Sequence, residues 1–205
     1  MRVAIVGGTG AFGRGLATRL HAAGDVVTLG SRDPGRAQAT AEELGVSGAA
    51  NAQAVRGAEL VVLATKAEAA VETARELAEE LPDAPLLCVA SELRVDSSGA
   101  RPVAAEESIA ERVARVVGVP VAAGLHSIAA ANLGAEPPDE DAFVCGDNPV
   151  AKQLALELAG RVVAGRALDA GPLACARALE ATTAVIVNLN RRYRARTGLR
   201  VTGLE

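Results

Sequence analysis

The run Val3-Ala4-Ile5-Val6-Gly7-Gly8-Thr9-Gly10-Ala11-Phe12-Gly13 constrains this chain more than any other segment. Four apolar residues lead into Gly8, Gly10 and Gly13 at G-x-G-x-x-G spacing. Phe12, Leu16 and Leu20 then recur at helical spacing as far as Gly24. A buried strand, a glycine turn and a helix N-terminus together form the device that holds a dinucleotide. Its first glycine permits the tight turn, its second lets main chain approach a pyrophosphate, and its third lets helix and strand pack closely.

The next strand, Val26-Val27-Thr28-Leu29, ends in Gly30-Ser31-Arg32, with Arg36 one helical turn beyond. An NAD site usually carries Asp or Glu at this corner, accepting from the ribose 2′-hydroxyl. A hydroxyl and two guanidinium groups instead suit a 2′-phosphate, through charge-assisted hydrogen bonds. The residues therefore favour NADP over NAD, with Ser31, Arg32 and Arg36 on the phosphate. Asp33 is expected to start the following helix, where a carboxylate suits the dipole and Pro34 the first turn.

Composition narrows the remaining classes. The 205 residues allow one generous domain, or a main domain with a small second one. The core must be built from Ala, Val and Leu, because Phe12, Phe143 and Tyr193 are the only aromatics. A flat cofactor would be held by aliphatic walls and main chain. Missing aromatic platforms and a net charge of −4 argue against nucleic acid. The run Arg191, Arg192, Arg194, Arg196 and Arg200 reads as a solvated helix end. Cys88, Cys145 and Cys175 are too scattered for a metal or disulfide framework, and Cys88 and Cys145 read as buried strand residues. The chain starts directly in a strand and has no apolar run near the ~18 residues of a membrane span, which points to a cytoplasmic protein.

Apolar runs near 2–6, 26–29, 46–49, 59–64, 86–90, 119–123, 142–146 and 162–169 read as strands. Helical patterns fall near 11–23, 34–44, 51–57, 67–81, 104–117, 149–160 and 172–194. Their alternation predicts an α/β fold, a Rossmann-type doubly wound parallel sheet with helices on both faces. Residues 1–118 would form the NADP-binding domain. Residues 119–205 would form a smaller C-terminal α/β portion, ending in a long helix apolar on most sides. Such a helix would be buried in the fold or in a homodimer interface. The polar stretch 94–103 reads as a loop or lid, and 134–141 as a second loop. Thr65, just past the strand 59–64, would lie where the nicotinamide half of the cofactor emerges.

Catalytic side chains are scarce. His21 ends the first helix and reads as a surface residue. His126 follows the strand 119–123 on the ligand-binding edge of the sheet, either as a structural histidine or as a ligand-facing donor. No Gly-x-Ser-x-Gly elbow and no metal spacing occurs. Hydride transfer between bound cofactors needs neither, because the cofactor carries the chemistry.

Residues 7–20, Gly-Gly-Thr-Gly-x-x-Gly-x-Gly-Leu-Ala-x-Arg-Leu, resemble the NADPH-dependent coenzyme F420 reductases. The resemblance continues collinearly through Gly30-Ser31-Arg32, Thr73-Ala74-Arg75-Glu76-Leu77, Leu125-His126-Ser127-Ile128 and Asn132-Leu133. It then takes in Val144-Cys145-Gly146-Asp147 and Leu168-Asp169-Ala170-Gly171-Pro172-Leu173. It implies two small-molecule cofactor substrates, NADP and the deazaflavin coenzyme F420, with the deazaflavin stacked on the nicotinamide in a cleft. It puts Thr9, Gly10, Ala11 and Phe12 at the pyrophosphate. His126 and Ile128 would flank the deazaflavin, and Ala130 would touch the nicotinamide end. Gly171, Pro172 and Leu173 would close the pocket.

The departures from the family pattern cluster. Thr65-Lys66-Ala67-Glu68 stands where the family commonly has Ile-Pro-Trp, and Ser91-Glu92-Leu93-Arg94 where it has Ser-Pro-Leu-Val-Pro. The proline after the family's His-x-Ile is Ala129. Lys66, Glu92 and Arg94 are thus expected on the rim of the second-substrate site, with Lys66 or Glu92 available as a proton donor. Two alternatives to F420 chemistry remain at this point. One is an NADP-dependent reductase of another carbonyl or imine, and the other a non-catalytic NADPH-binding sensor.

Overall fold

The computed structural model describes residues 1–81 and 83–204. The first half runs β1 (Arg2–Val6), α1 (Ala11–Ala22), β2 (Val26–Ser31), α2 (Pro34–Leu44), β3 (Ser47–Ala50), α3 (Asn51–Ala54), β4 (Leu60–Leu63), α4 (Ala67–Leu77) and β5 (Leu86–Cys88). The second half runs β6 (Leu93–Asp96), β7 (Gly99–Pro102), α5 (Ile109–Ala114), β8 (Val121–Gly124), β9 (Ala142–Gly146), α6 (Pro149–Val162), β10 (Ala167–Asp169) and α7 (Ala176–Tyr193). Short 3₁₀ turns cover Ala130–Asn132 and Leu173–Cys175.

Eight strands form one sheet in the order β10-β9-β8-β5-β4-β1-β2-β3. From β3 to β8 they are parallel, the doubly wound arrangement that the alternating pattern predicts. Strand periodicity divides the core in two. Val3 and Ile5 face one side with Leu16 and Leu20 of α1 and Leu158 of α6. Ala4 and Val6 face the other with Ala70 and Ala74 of α4, Ile109 of α5 and Leu179 of α7. Because strands buried on both faces have no polar side, they read as continuous apolar runs.

Four expectations need correction. First, the sheet is not wholly parallel: β9 runs antiparallel to β8, with Ala122 opposite Gly146 and Gly124 opposite Val144, and β10 follows β9. The segment joining β8 to β9 carries only a 3₁₀ turn, so there is no crossover helix to bring the chain back parallel. Second, 94–103 is a β-hairpin, not a loop, with Asp96 paired to Gly99 at its turn. Asn188 of α7 clamps it, accepting from Ala100 N and donating to Ala100 O, both at 2.8 Å. Third, the strand expected over 162–169 is only Ala167–Asp169, because α6 continues to Val162.

Fourth, α7 is amphipathic, not apolar on most sides. It buries Ala176, Leu179, Glu180, Ala184 and Ile186, while Val185 is half exposed. Its buried Glu180 accepts from Ile109 N at 2.6 Å and from Arg177 at 3.1 Å, which ties α7 to α5. Desolvation raises the Glu180 pKa above the ordinary carboxylate range. The division expected at 118/119 falls between β5 and β8, which are hydrogen-bonded neighbours in the same sheet.

Candidate cofactor site

The C-terminal ends of β1, β2, β4, β5 and β8 form one edge. At β1 the chain turns through Gly7, whose φ is +76°, and an added Cβ there would lie 2.8 Å from Thr65 Cγ2. The positive φ thus falls on Gly7, one residue before the first glycine of the fingerprint. Gly8 N donates to Ile5 O at 3.1 Å and Gly30 O at 3.0 Å, joining the turn to the end of β2. A Cβ on Gly13 would come within 2.6 Å of Gly8 Cα, so only glycine lets α1 sit this close to the turn. Gly10 differs: a Cβ there would meet nothing nearer than Gly7 O at 3.6 Å. Gly10 is exposed and caps the N-terminus of α1, where free N–H groups and the dipole favour a phosphate.

A cavity of about 230 Å³ opens from this turn between the end of β2 and the start of α4. Thr9, Gly10, Ser31, Arg32 and Arg36 line one side of it, and Thr65, Lys66, Ala69 and Thr73 the other. Asn51, at the start of α3, also lines it. Among the described residues no carboxylate lines this cavity. Among the described residues neither Arg32 nor Arg36 has a carboxylate partner, and both are exposed. Asp33 lies outside the cavity lining and caps α2, accepting from Arg36 N at 3.1 Å, while its own N–H donates to Ser31 Oγ at 3.2 Å. The carboxylate that complicated the sequence motif is therefore committed to the helix N-terminus.

Further along the edge, Leu125 takes a left-handed conformation (φ 64°) and carries His126 in behind it. His126 is 4% exposed, and neither ring nitrogen has a hydrogen-bond partner among the described residues. Burial lowers its pKa from 6.5 to about 4; the Ala90 main chain opposes this in part without reaching hydrogen-bond geometry. The ring is thus neutral at physiological pH. Ile128 is buried beyond it, and the Ala130 carbonyl lies 3.4 Å from where a Cβ on Gly15 of α1 would stand. Ala130 therefore borders α1 on the nucleotide side of the edge.

Gly171, Pro172 and Leu173 lie elsewhere. Gly146 N donates to Gly171 O at 3.1 Å, and Gly146 pairs with Ala122 of β8. Ala122 stands two residues back from Gly124, where β8 ends, so at ~3.3 Å per residue Gly171 O lies roughly 7 Å from the end of the strand, toward the opposite edge of the sheet. Leu173 N donates to Asp147 Oδ1 at 2.9 Å, and its side chain is buried near Cys145. Within one chain Gly171 and Leu173 are thus set back from the ligand edge. The reversal of β9 and β10 is the cause: the end of a parallel β10 would have reached the ligand edge.

The three departing charges separate as well. Lys66 faces the nucleotide cavity, and Glu92 is paired with Arg112 at 2.6 Å. Arg94 lies on the exposed face of the hairpin, beside Arg101. Cys88 and Cys145 are buried, and desolvation pushes both thiols up to about 12. Among the described residues, no group of three or more His, Cys, Asp or Glu is placed to hold a metal. Among the described residues no helix is long and apolar enough to cross a membrane. Sequence reasoning missed Asn51, Ala69 and Thr73 as cavity residues. Asn51 follows directly on β3 at the ligand edge, and that position was a usable signal.

A doubly wound sheet, a glycine turn opening a helix and a cationic cavity at the end of β2 define a dinucleotide-binding protein of Rossmann type. Residues 2–91 match the family model described as NADP oxidoreductase coenzyme F420-dependent. The chain is 36% identical to the F420-dependent NADP reductase of Methanothermobacter thermautotrophicus, covering 100% of this chain and 96% of that protein. It is 31% identical to the F420-dependent NADP reductase of Methanocaldococcus jannaschii, covering 100% of both. Among solved structures, a proposed F420-dependent NADP reductase from Arthrobacter sp. FB24 superposes with a TM-score of 0.86 at 26% identity, covering 99% of this chain and 100% of that one. An imine reductase from Streptomyces aurantiacus shares the fold alone, with a TM-score of 0.64 at 24% identity over 95% of this chain and 62% of that one. The chain belongs to the F420-dependent NADP reductase family.

Proposed function

We propose that this protein is an oxidoreductase exchanging hydride between NADP(H) and the deazaflavin coenzyme F420. The observation that carries the NADP half is the cavity at the end of β2, lined by Ser31, Arg32 and Arg36 and, among the described residues, by no carboxylate. Full-length similarity to F420-dependent NADP reductases supports the deazaflavin half. The edge also fits the two cofactors on its own terms. Gly10 leaves the pyrophosphate position open, while Thr65 Oγ1 and both His126 nitrogens are buried polar atoms without partners among the described residues. Bound ligands that satisfied them would remove a desolvation cost of about 1–3 kcal/mol for each.

When bound, the cofactors supply hydride exchange between nicotinamide C4 and deazaflavin C5. The chain supplies position and electrostatics. In this reading Gly8, Thr9, Gly10, Ala11, Phe12 and Gly13 hold the pyrophosphate, and Ser31, Arg32 and Arg36 the 2′-phosphate. Thr65 and Ala130 bound the nicotinamide, and Ile128 forms apolar wall for the deazaflavin. His126 would present an uncharged ring to the nicotinamide and the deazaflavin when they are bound. Residues 119–205 act as the smaller portion that closes the cleft, through the 3₁₀ turn Ala130–Asn132 and α7. A cytoplasmic location, small-molecule partners without nucleic acid, and a homodimer belong to the same proposal. Light scattering of the purified protein tests the dimer.

Anaerobic absorbance of the protein with NADPH and oxidised F420 tests the reaction. Rapid loss of the deazaflavin visible band, much slower with NADH, is the expected result. An unchanged spectrum with NADPH binding intact would remove F420 as the substrate.

A further inference from the structure

Lys66 lies on the cavity wall opposite Arg32 and Arg36, at the N-cap position of α4. It is exposed, and no carboxylate lies within ion-pair distance of it among the described residues. It stands where the family pattern given above is apolar. Three unpaired cations thus face one cavity whose lining contains no acid. Such a lining favours an anion in the cavity. The floor adds a second, independent observation. Asn51 Oδ1 and Thr65 Oγ1 are buried without hydrogen-bond partners among the described residues, and both residues line the same cavity. An amide and a hydroxyl left unsatisfied at the base of a cationic hollow mark a binding site for a polar ligand, because solvent-excluded polar atoms are costly without partners.

We infer that Lys66 is a specificity residue for the 2′-phosphate of NADP(H), reaching across the cavity to complete a three-cation clamp with Arg32 and Arg36 over the Asn51 floor. This rests on the NADP reading proposed above. It reassigns Lys66 from the second-substrate site to the nucleotide. The clamp makes this chain more dependent on the 2′-phosphate than a relative with an apolar residue there. A flexible ammonium also suits this place, since it can follow a phosphate into a cavity open to solvent.

The test is calorimetric titration with adenosine 2′,5′-bisphosphate and with adenosine 5′-monophosphate, neither of which requires F420. The wild type is expected to bind the bisphosphate at least ~10-fold more tightly than the monophosphate. Lys66→Gln should weaken the bisphosphate by roughly 5- to 10-fold, leave the monophosphate unchanged, and flatten the salt dependence of bisphosphate binding. Lys66→Arg should restore most of the loss. If Lys66→Gln weakens both ligands equally, Lys66 serves the adenine or the 5′-phosphate and the inference fails. If the wild type discriminates and Lys66→Gln still binds both ligands as it does, the inference fails while the NADP reading stands. A wild type that binds both ligands alike overturns the two together.

Discussion

Thr183 Oγ1 donates to the main-chain carbonyl of His126 at 2.8 Å, so the last helix of the chain holds the turn that carries the site's only histidine. The same hydroxyl lies 2.8 Å from Ser91 Oγ, just beyond β5. Its one hydrogen goes to His126 O, so Ser91 is the donor in the second bond. Residues far apart in sequence therefore meet at one hydroxyl on the ligand edge.

Removing that hydroxyl should be felt at the site. Thr183→Val is expected to lower stability by about 1 kcal/mol, a fall of a few degrees in Tm, and to reduce kcat with little change in NADPH affinity. Thr183→Ser should keep both near wild type. Equal kcat for the Val and Ser variants would show that the bond does not position His126.

His126 predicts an acid-sensitive fold. Its pKa falls from 6.5 in the unfolded chain to about 4 in the folded one, so the unfolded state binds the proton first as pH drops. Stability is therefore full above about pH 6.5 and declines between there and about pH 4, by roughly 3 kcal/mol at the limit. Chemical denaturation of wild type and His126→Asn at pH 7.5 and 5 checks the sign: the difference in stability between the two pH values should shrink in the variant. His126→Ala should also lower turnover while leaving NADPH affinity near wild type.

Arg32→Ala should cost NADPH binding about 1.5–3 kcal/mol, roughly 10- to 150-fold in Kd, with little effect on NADH. Fluorescence titration of both nucleotides measures it. Equal losses for NADPH and NADH would move Arg32 off the 2′-phosphate.

Two glycines of one motif should separate binding from folding. A Cβ on Gly10 makes only an ordinary contact with Gly7 O at 3.6 Å, whereas one on Gly13 meets Gly8 Cα at 2.6 Å. Gly10→Ala is therefore expected to melt near the wild-type temperature yet bind NADPH at least ~10-fold more weakly, because the methyl occupies the approach to the pyrophosphate. Gly13→Ala should lower Tm itself, since helix and turn must move apart. Thermal melts with and without NADPH distinguish the two.

The sequence by itself determined the local devices, because each depends on residues within one or two turns of each other. The glycine turn, the cationic corner at Ser31, Arg32 and Arg36, the Asp33 cap and the apolar runs of the parallel strands are all of this kind. It also carried the resemblance that placed the chain in its family. Only the tertiary structure decided what depends on how distant segments pair. A strand's apolar run does not encode its direction, so the reversal of β9 and β10 was hidden, and with it the placement of Gly171 and Leu173 back from the ligand edge. The hairpin at 93–102 was hidden for a related reason. Its polar residues have no local motive to pair, and Asn188, almost ninety residues on, supplies the clamp. Lys66 read as a charge beside the second substrate, and only the fold shows that it lines the same cavity as Arg32 and Arg36. Which side of a cleft a strand-end residue faces is fixed by the neighbouring strand and helix, and that contact is not written in the sequence around it.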